Sequence, residues 1–134
     1  MVIDTNSSES KQKVFIVDDD KFLLDMYALK FNEVGFAVCA VGSGIDAIDK
    51  LRDGFVPDII LLDIVMPGMD GFELLKNIKD KNLAPSAKII ILSNIGQESD
   101  ILRGKKLGAN GYIVKASVTP TEVVEKVKDV LKQK

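Results

Sequence analysis

Five apolar runs punctuate the 134-residue chain, and four stop on a side chain capable of chemistry. Asp18 and Asp19 follow the run at 14–17, Asp63 that at 59–62, Ser93 that at 88–92 and Lys115 that at 111–114. A single Asp after a strand is usually a helix cap or a turn residue. Four such ends along one edge of a parallel sheet, where neighbouring strands lie only about 4.8 Å apart, would instead converge. Three carboxylates gathered in this way repel one another unless a cation is present. A hard divalent ion such as Mg²⁺ takes oxygen ligands and keeps positions free for water and a phosphoryl oxygen. A carboxylate in that setting can act as nucleophile and form an aspartyl phosphate. The phosphoryl group in flight spreads its charge over three equatorial oxygens, so it calls for a metal, a cation and a hydroxyl donor. Asp63 is then the candidate reactive centre, with Asp18 and Asp19 for the metal, Lys115 for the cation and Ser93 for the hydroxyl.

The elements that must position these groups follow from the hydrophobic pattern. Residues 59–62, Ile-Ile-Leu-Leu, are too apolar for a half-exposed strand and too tightly bounded for a helix. They read as a strand buried on both faces, and ligands bind at the C-terminal ends of such strands. Residues 14–17, 36–41, 88–92 and 111–114 complete five strands. Between them, Leu24, Ala28 and Phe31 recur at helical spacing over 21–34, with Leu23 and Tyr27 widening the stripe and Gly35 as the stop. Ile45, Ala47, Ile48 and Leu51 mark a short helix closed by Gly54; Phe72, Leu75 and Ile78 mark a third; a fourth spans 97–107 and stops at Gly108. Thr119-Pro120-Thr121-Glu122 is a capping box with proline at the first helical position, and Val123, Val124, Val127, Val130 and Leu131 face inward from the helix it opens. Five strands alternating with five helices predict an α/β fold, a doubly wound parallel sheet covered on both faces.

Composition bounds the function. The chain is one domain long, 46% hydrophobic, with a formal charge of -2 and a pI near 5.2. No basic excess points to direct nucleic-acid contact, and no DNA-binding output module fits in these residues. The single Cys39 lies in an apolar run and reads as a buried structural thiol in a reducing compartment. No apolar segment approaches the roughly 20 residues needed to span a bilayer, and the polar, Ser-rich start is no secretory signal. The expectation is a cytoplasmic protein without membrane contact, with a disordered leader over 1–12 and one domain over 13–134.

Val17-Asp18-Asp19, then Asp63 with Met66-Pro67 and Asp70-Gly71, then Ser93, then Tyr112 and Lys115, together resemble the receiver domain of two-component response regulators, of the single-domain, chemotaxis-regulator-like kind. The resemblance covers about 14–131. It implies a flavodoxin-like sheet in the order 2-1-3-4-5 and a phosphoaspartate switch in a phosphorelay. Asp63 is then the phosphoacceptor, Asp18 and Asp19 the acidic pair at Mg²⁺, and the backbone carbonyl of Val65 a further metal ligand. Ser93 matches the switch hydroxyl, Lys115 its ion-pair partner and Tyr112 the aromatic that moves with it. Such a domain catalyses only its own phosphorylation and dephosphorylation. Its partners are a histidine kinase or histidine phosphotransfer protein upstream and a downstream protein target or output domain. Phosphorylation exchanges one carboxylate charge for a dianionic group, which pulls Ser93 and Lys115 inward and reshapes the surface of the fourth helix, fifth strand and fifth helix.

Departures from the family set further expectations. Ala116 follows Lys115, where receivers usually carry proline, often after a cis bond. A cis bond before a non-proline residue costs about 2.5–4 kcal/mol, so this loop should run trans and shift Lys115. Asn94 replaces a small residue and should narrow access to Asp63. Val65 and Ile95 are apolar and cannot orient a water, which predicts slow self-dephosphorylation. Two rivals remain. Asp18-Asp19-Asp20 followed by Ser93 and Lys115 is similar to haloacid-dehalogenase-like phosphatases, with Asp18 as nucleophile and Asp20 as acid; that family expects a late acidic strand end and usually a cap domain. The other is a receiver-shaped interaction module that never takes phosphate.

Overall fold

The computed structural model describes residues 11–133. The chain alternates β1 (Lys13–Val17), α1 (Lys21–Glu33), β2 (Ala37–Val41), α2 (Gly44–Arg52), β3 (Ile59–Leu62), α3 (Gly71–Asp80), β4 (Lys88–Ser93), α4 (Glu98–Lys106), β5 (Gly111–Val114) and α5 (Pro120–Leu131), with a 3₁₀ turn at Lys115–Ser117. All pairings are parallel, and the strand order is β2-β1-β3-β4-β5, as expected. Of the leader assigned to 1–12, residues 1–10 lie outside the described residues. The Gln12 carbonyl already accepts the Ala37 amide at 2.9 Å, which ties the chain to the sheet just before β1.

The sheet separates two cores. Phe15, Ile60, Leu62, Ile89 and Ile91 point to the side covered by α2, α3 and α4. Val14, Ile16, Ile59, Leu61 and Ile90 point to the side covered by α1 and α5. This is why β3 has no polar position: both faces of a central parallel strand are covered, and all four of its residues are buried. The edge strand β2 is only partly covered, so Cys39 is half-buried rather than buried as its apolar run suggests. Burial still pushes the thiol above its usual pKa.

The helix starts hold to their capping chemistry. Asp20 caps α1, its carboxylate accepting the Leu23 amide at 3.2 Å, and Thr119 with Glu122 forms the capping box read from the sequence. At the opposite end of the sheet from Asp63, an open cleft of about 400 Å³ is lined by Lys11, Gln12, Phe36, Lys128, Leu131 and Lys132. The start of the described chain and the end of α5 therefore meet at the edge remote from the acidic residues.

Candidate functional site

The strand order makes β1, β3, β4 and β5 consecutive, so their four C-terminal ends form one edge. Asp63 stays in register through its amide, which donates to the Val17 carbonyl at 3.0 Å, and Asp18 through its amide on the Val41 carbonyl at 3.2 Å. Carboxylate oxygens of Asp18, Asp19 and Asp63 lie within 4.8 Å of one another. Asp18 is 3% exposed and Asp63 8%, while Asp19 faces solvent. Each buried carboxylate also accepts a local amide: Asp20 N–H to Asp18 Oδ1 at 2.9 Å and Ile64 N–H to Asp63 Oδ1 at 2.7 Å.

Lys115 crosses to both, its Nζ 2.6 Å from Asp18 Oδ2 and 3.3 Å from Asp63 Oδ2. The family resemblance pairs it with Ser93 as part of the switch; in this state its nearer partner is Asp18. Among the described residues no peptide bond is cis, so Lys115 precedes Ala116 through a trans bond as expected, and its amine nevertheless reaches both carboxylates. Burial works against its charge, but the hydrogen bond to Asp18 and the fields of Asp63 and Asp18 outweigh it and hold its pKa above the usual lysine value. Asp18 is lifted above the ordinary carboxylate value by burial, which its bonds to Lys115 and the Asp20 amide offset only in part, and the charge of Asp63 adds to the rise.

Three carboxylates against one ammonium leave two negative charges in excess. An all-oxygen donor set with that deficit fits a hard divalent cation such as Mg²⁺. The cleft beside it, about 360 Å³, is lined by Asp19, Asp20, Leu23, Asp63, Val65, Ser93, Asn94 and Lys115. Val65 and Asn94 thus lie at its mouth, and the Val65 side chain is 61% exposed.

Ser93 is fully buried, and its Oγ finds no hydrogen-bond partner among the described residues. A buried hydroxyl left unpaired costs about 1–3 kcal/mol, so it is poised for an acceptor that arrives later. Tyr112 is half-buried, with its pKa raised chiefly by burial, and its hydroxyl donates to the Ile95 carbonyl. That bond ties β5 to the loop that follows Ser93. The Asp20 carboxylate accepts the Leu23 amide through Oδ1 at the start of α1.

Sequence reasoning missed three contributors. Asp70 caps α3 and Glu73 reaches back to it, at 2.9 and 3.3 Å, a box legible in the Asp-x-x-Glu spacing. Gly71 packs directly on the backbone of Asp63. The Arg103 guanidinium lies over the Phe72 ring at 4.3 Å and links α4 to α3; no sequence signal marks that pair.

The response regulator receiver domain family model matches residues 14–128. A solved putative response regulator from Chloroflexus aurantiacus is 31% identical, with a TM-score of 0.82 over 92% of this chain and 99% of that one. A CheY-like receiver domain from Methanospirillum hungatei is 30% identical, with a TM-score of 0.81 over 90% of this chain and 94% of that one. A Guillardia theta protein described as "Probable transcriptional regulator ycf27" is 31% identical over 125 residues, 93% of this chain and 47% of that one. The chain therefore spans about half the length of that curated relative. It belongs to the response regulator receiver domain family, whose members act as phosphorylatable switches in two-component signalling. No helix among the described residues is long and apolar enough to cross a membrane.

Proposed function

We propose that Asp63 is the phosphoacceptor of a phosphoaspartate switch. The observation that carries this reading is the meeting of Asp63 with Asp18, Asp19 and Lys115 beside a buried, unpaired Ser93 hydroxyl. The donor is a phosphohistidine on a histidine kinase or histidine phosphotransfer protein. Asp63 Oδ attacks phosphorus, the P–N bond breaks, and its electron pair leaves with the imidazole. Asp18, Asp19, Asp63 and the Val65 carbonyl would hold Mg²⁺, which when bound offsets negative charge on the transferring group. Asp18 and Asp63 oxygens are prepositioned by the Asp20 and Ile64 amides. The Lys115 ammonium is close enough to Asp63 to pair with a phosphoryl oxygen on it, and the Ser93 hydroxyl gains its missing acceptor from the same group. Withdrawal of Ser93 and Lys115 toward that group alters what the loop after β4 presents to Tyr112, and so biases the surface of α4, β5 and α5 for a downstream partner. The domain acts on itself alone: at the end of the cycle a water attacks phosphorus, the P–O bond to Asp63 breaks, and inorganic phosphate leaves with the carboxylate regenerated.

Incubation with acetyl phosphate and Mg²⁺, read by intact-protein mass spectrometry, should add one phosphoryl group to the wild type and none to Asp63→Ala. Label on Asp18 instead would overturn the assignment. With Val65 and Ile95 unable to orient a water, the phosphoryl group should persist for minutes or longer; decay within seconds would contradict that.

A further inference from the structure

We propose that Gly71 is a positioning residue for the phosphoacceptor: the first turn of α3 is seated on the Asp63 backbone so closely that no side chain fits between them, and this seat, rather than bound metal, fixes the loop carrying Asp63 and Val65. The proposal rests on Asp63 being the phosphoacceptor.

A β-carbon at Gly71 would stand 2.1 Å from the Asp63 carbonyl oxygen, 2.8 Å from the carbonyl carbon and 2.8 Å from Ile64 Cα. All three are main-chain atoms, so no rotamer change relieves the clash. Gly44 makes the informative contrast: the nearest atoms to a β-carbon there are all in the Met69 side chain, at 3.0–3.1 Å, and a flexible thioether can give way. Conformation does not demand glycine at 71, because its φ is not positive. Alanine is the stronger helix former, so helix propensity alone would favour it. Space is what forbids a side chain.

The contact is also bonded and braced. The Gly71 amide donates to the Ile64 carbonyl at 2.8 Å, and the Ile64 amide in turn holds Asp63 Oδ1. Behind it, the Asp70–Glu73 capping box fixes where the helix starts, and Phe72, Leu74 and Leu75 anchor that turn in the core. The loop from Asp63 to Gly71 is therefore closed on itself at both ends by main-chain contacts, and the Val65 carbonyl rides on it.

Gly71→Ala should displace Asp63 and Val65 together. The test compares it with Val127→Ala, which trims the core on the other side of the sheet. Mg²⁺ affinity, by titration calorimetry, should fall about tenfold or more in Gly71→Ala, as for changes to groups that orient metal ligands. Phosphorylation by acetyl phosphate should slow about a hundredfold, as for a displacement near 1 Å. Val127→Ala should lose stability and leave both values unchanged. A folded Gly71→Ala protein with wild-type Mg²⁺ affinity would overturn the proposal. A wild type that takes up no phosphoryl group would overturn the functional reading alone, since the Mg²⁺ titration still judges the seat. Hydrogen exchange on the metal-free wild type tests the seat even where Gly71→Ala fails to fold. The Gly71 amide should be as protected as the ladder amides of β3; exchange at loop rates until Mg²⁺ is added would refute the idea.

Discussion

Helices α3 and α4 lie on the same side of the sheet, yet they are held in opposite ways. α3 buries Gly71, Phe72, Leu74, Leu75 and Ile78 and starts in a complete capping box against the backbone of Asp63. α4 buries only Gly104, and its apolar Ile101 and Leu102 are 39% and 56% exposed. Gly104 itself lies over the Ile91 side chain and the Tyr112 ring, so what little α4 buries is pressed against β4 and β5. The contrast teaches where a new charge at Asp63 can do work. The helix seated on Asp63 is anchored and resists displacement; the helix next to Tyr112 is loosely held and can be reset at low cost.

The widest gap between the two helices should appear in truncations. Leu74→Ala in α3 should cost about 2–5 kcal/mol in denaturant unfolding, whereas Leu102→Ala in α4 should stay within about 0.5 kcal/mol. Equal losses would erase the distinction. Next in size is Ser93→Ala: deleting the unpaired hydroxyl should leave the unphosphorylated protein as stable or about 1 kcal/mol more stable. The same variant should lose the response of α4 to phosphorylation, read by hydrogen exchange. Arg103→Ala removes the cation–π link from α4 to Phe72 and should cost about 0.5–1 kcal/mol, with faster exchange confined to α4. If α3 loosens as well, the two helices are one unit.

The smallest effect concerns pH. Asp18 has a raised folded pKa, so the folded metal-free protein holds a proton more readily than the unfolded chain. Its contribution to stability therefore declines as pH rises from the ordinary carboxylate value of 3.8 through the folded value. Asp18→Asn should flatten the stability profile in that window. Lys115 is raised too, and its stabilisation is present below 10.5 and lost as pH climbs through its folded value.

Much of the fold is legible in the chain itself. Parallel strands buried on both faces are written as unbroken apolar runs, so their ends are visible as the points where Asp63, Ser93 and Lys115 interrupt them. The strand order is legible only through the family resemblance, because periodicity does not say which runs are neighbours. Close packing is less visible still. Gly71 reads only as part of the Asp70-Gly71 motif, and nothing local reveals the carbonyl beneath it. Ile101 and Leu102 are apolar, but a helix that meets the sheet through a glycine presents its larger side chains to solvent. Cys39 reads as buried because its run is apolar, and edge position is a property of the whole sheet.

The meeting of Gln12 and Lys132 at the far rim of the sheet has a practical consequence. A donor and an acceptor dye attached near these two residues would sit side by side and transfer energy efficiently in the folded domain. They would separate only when the whole domain comes apart, giving a gauge of global unfolding that leaves the acidic edge free for its partners.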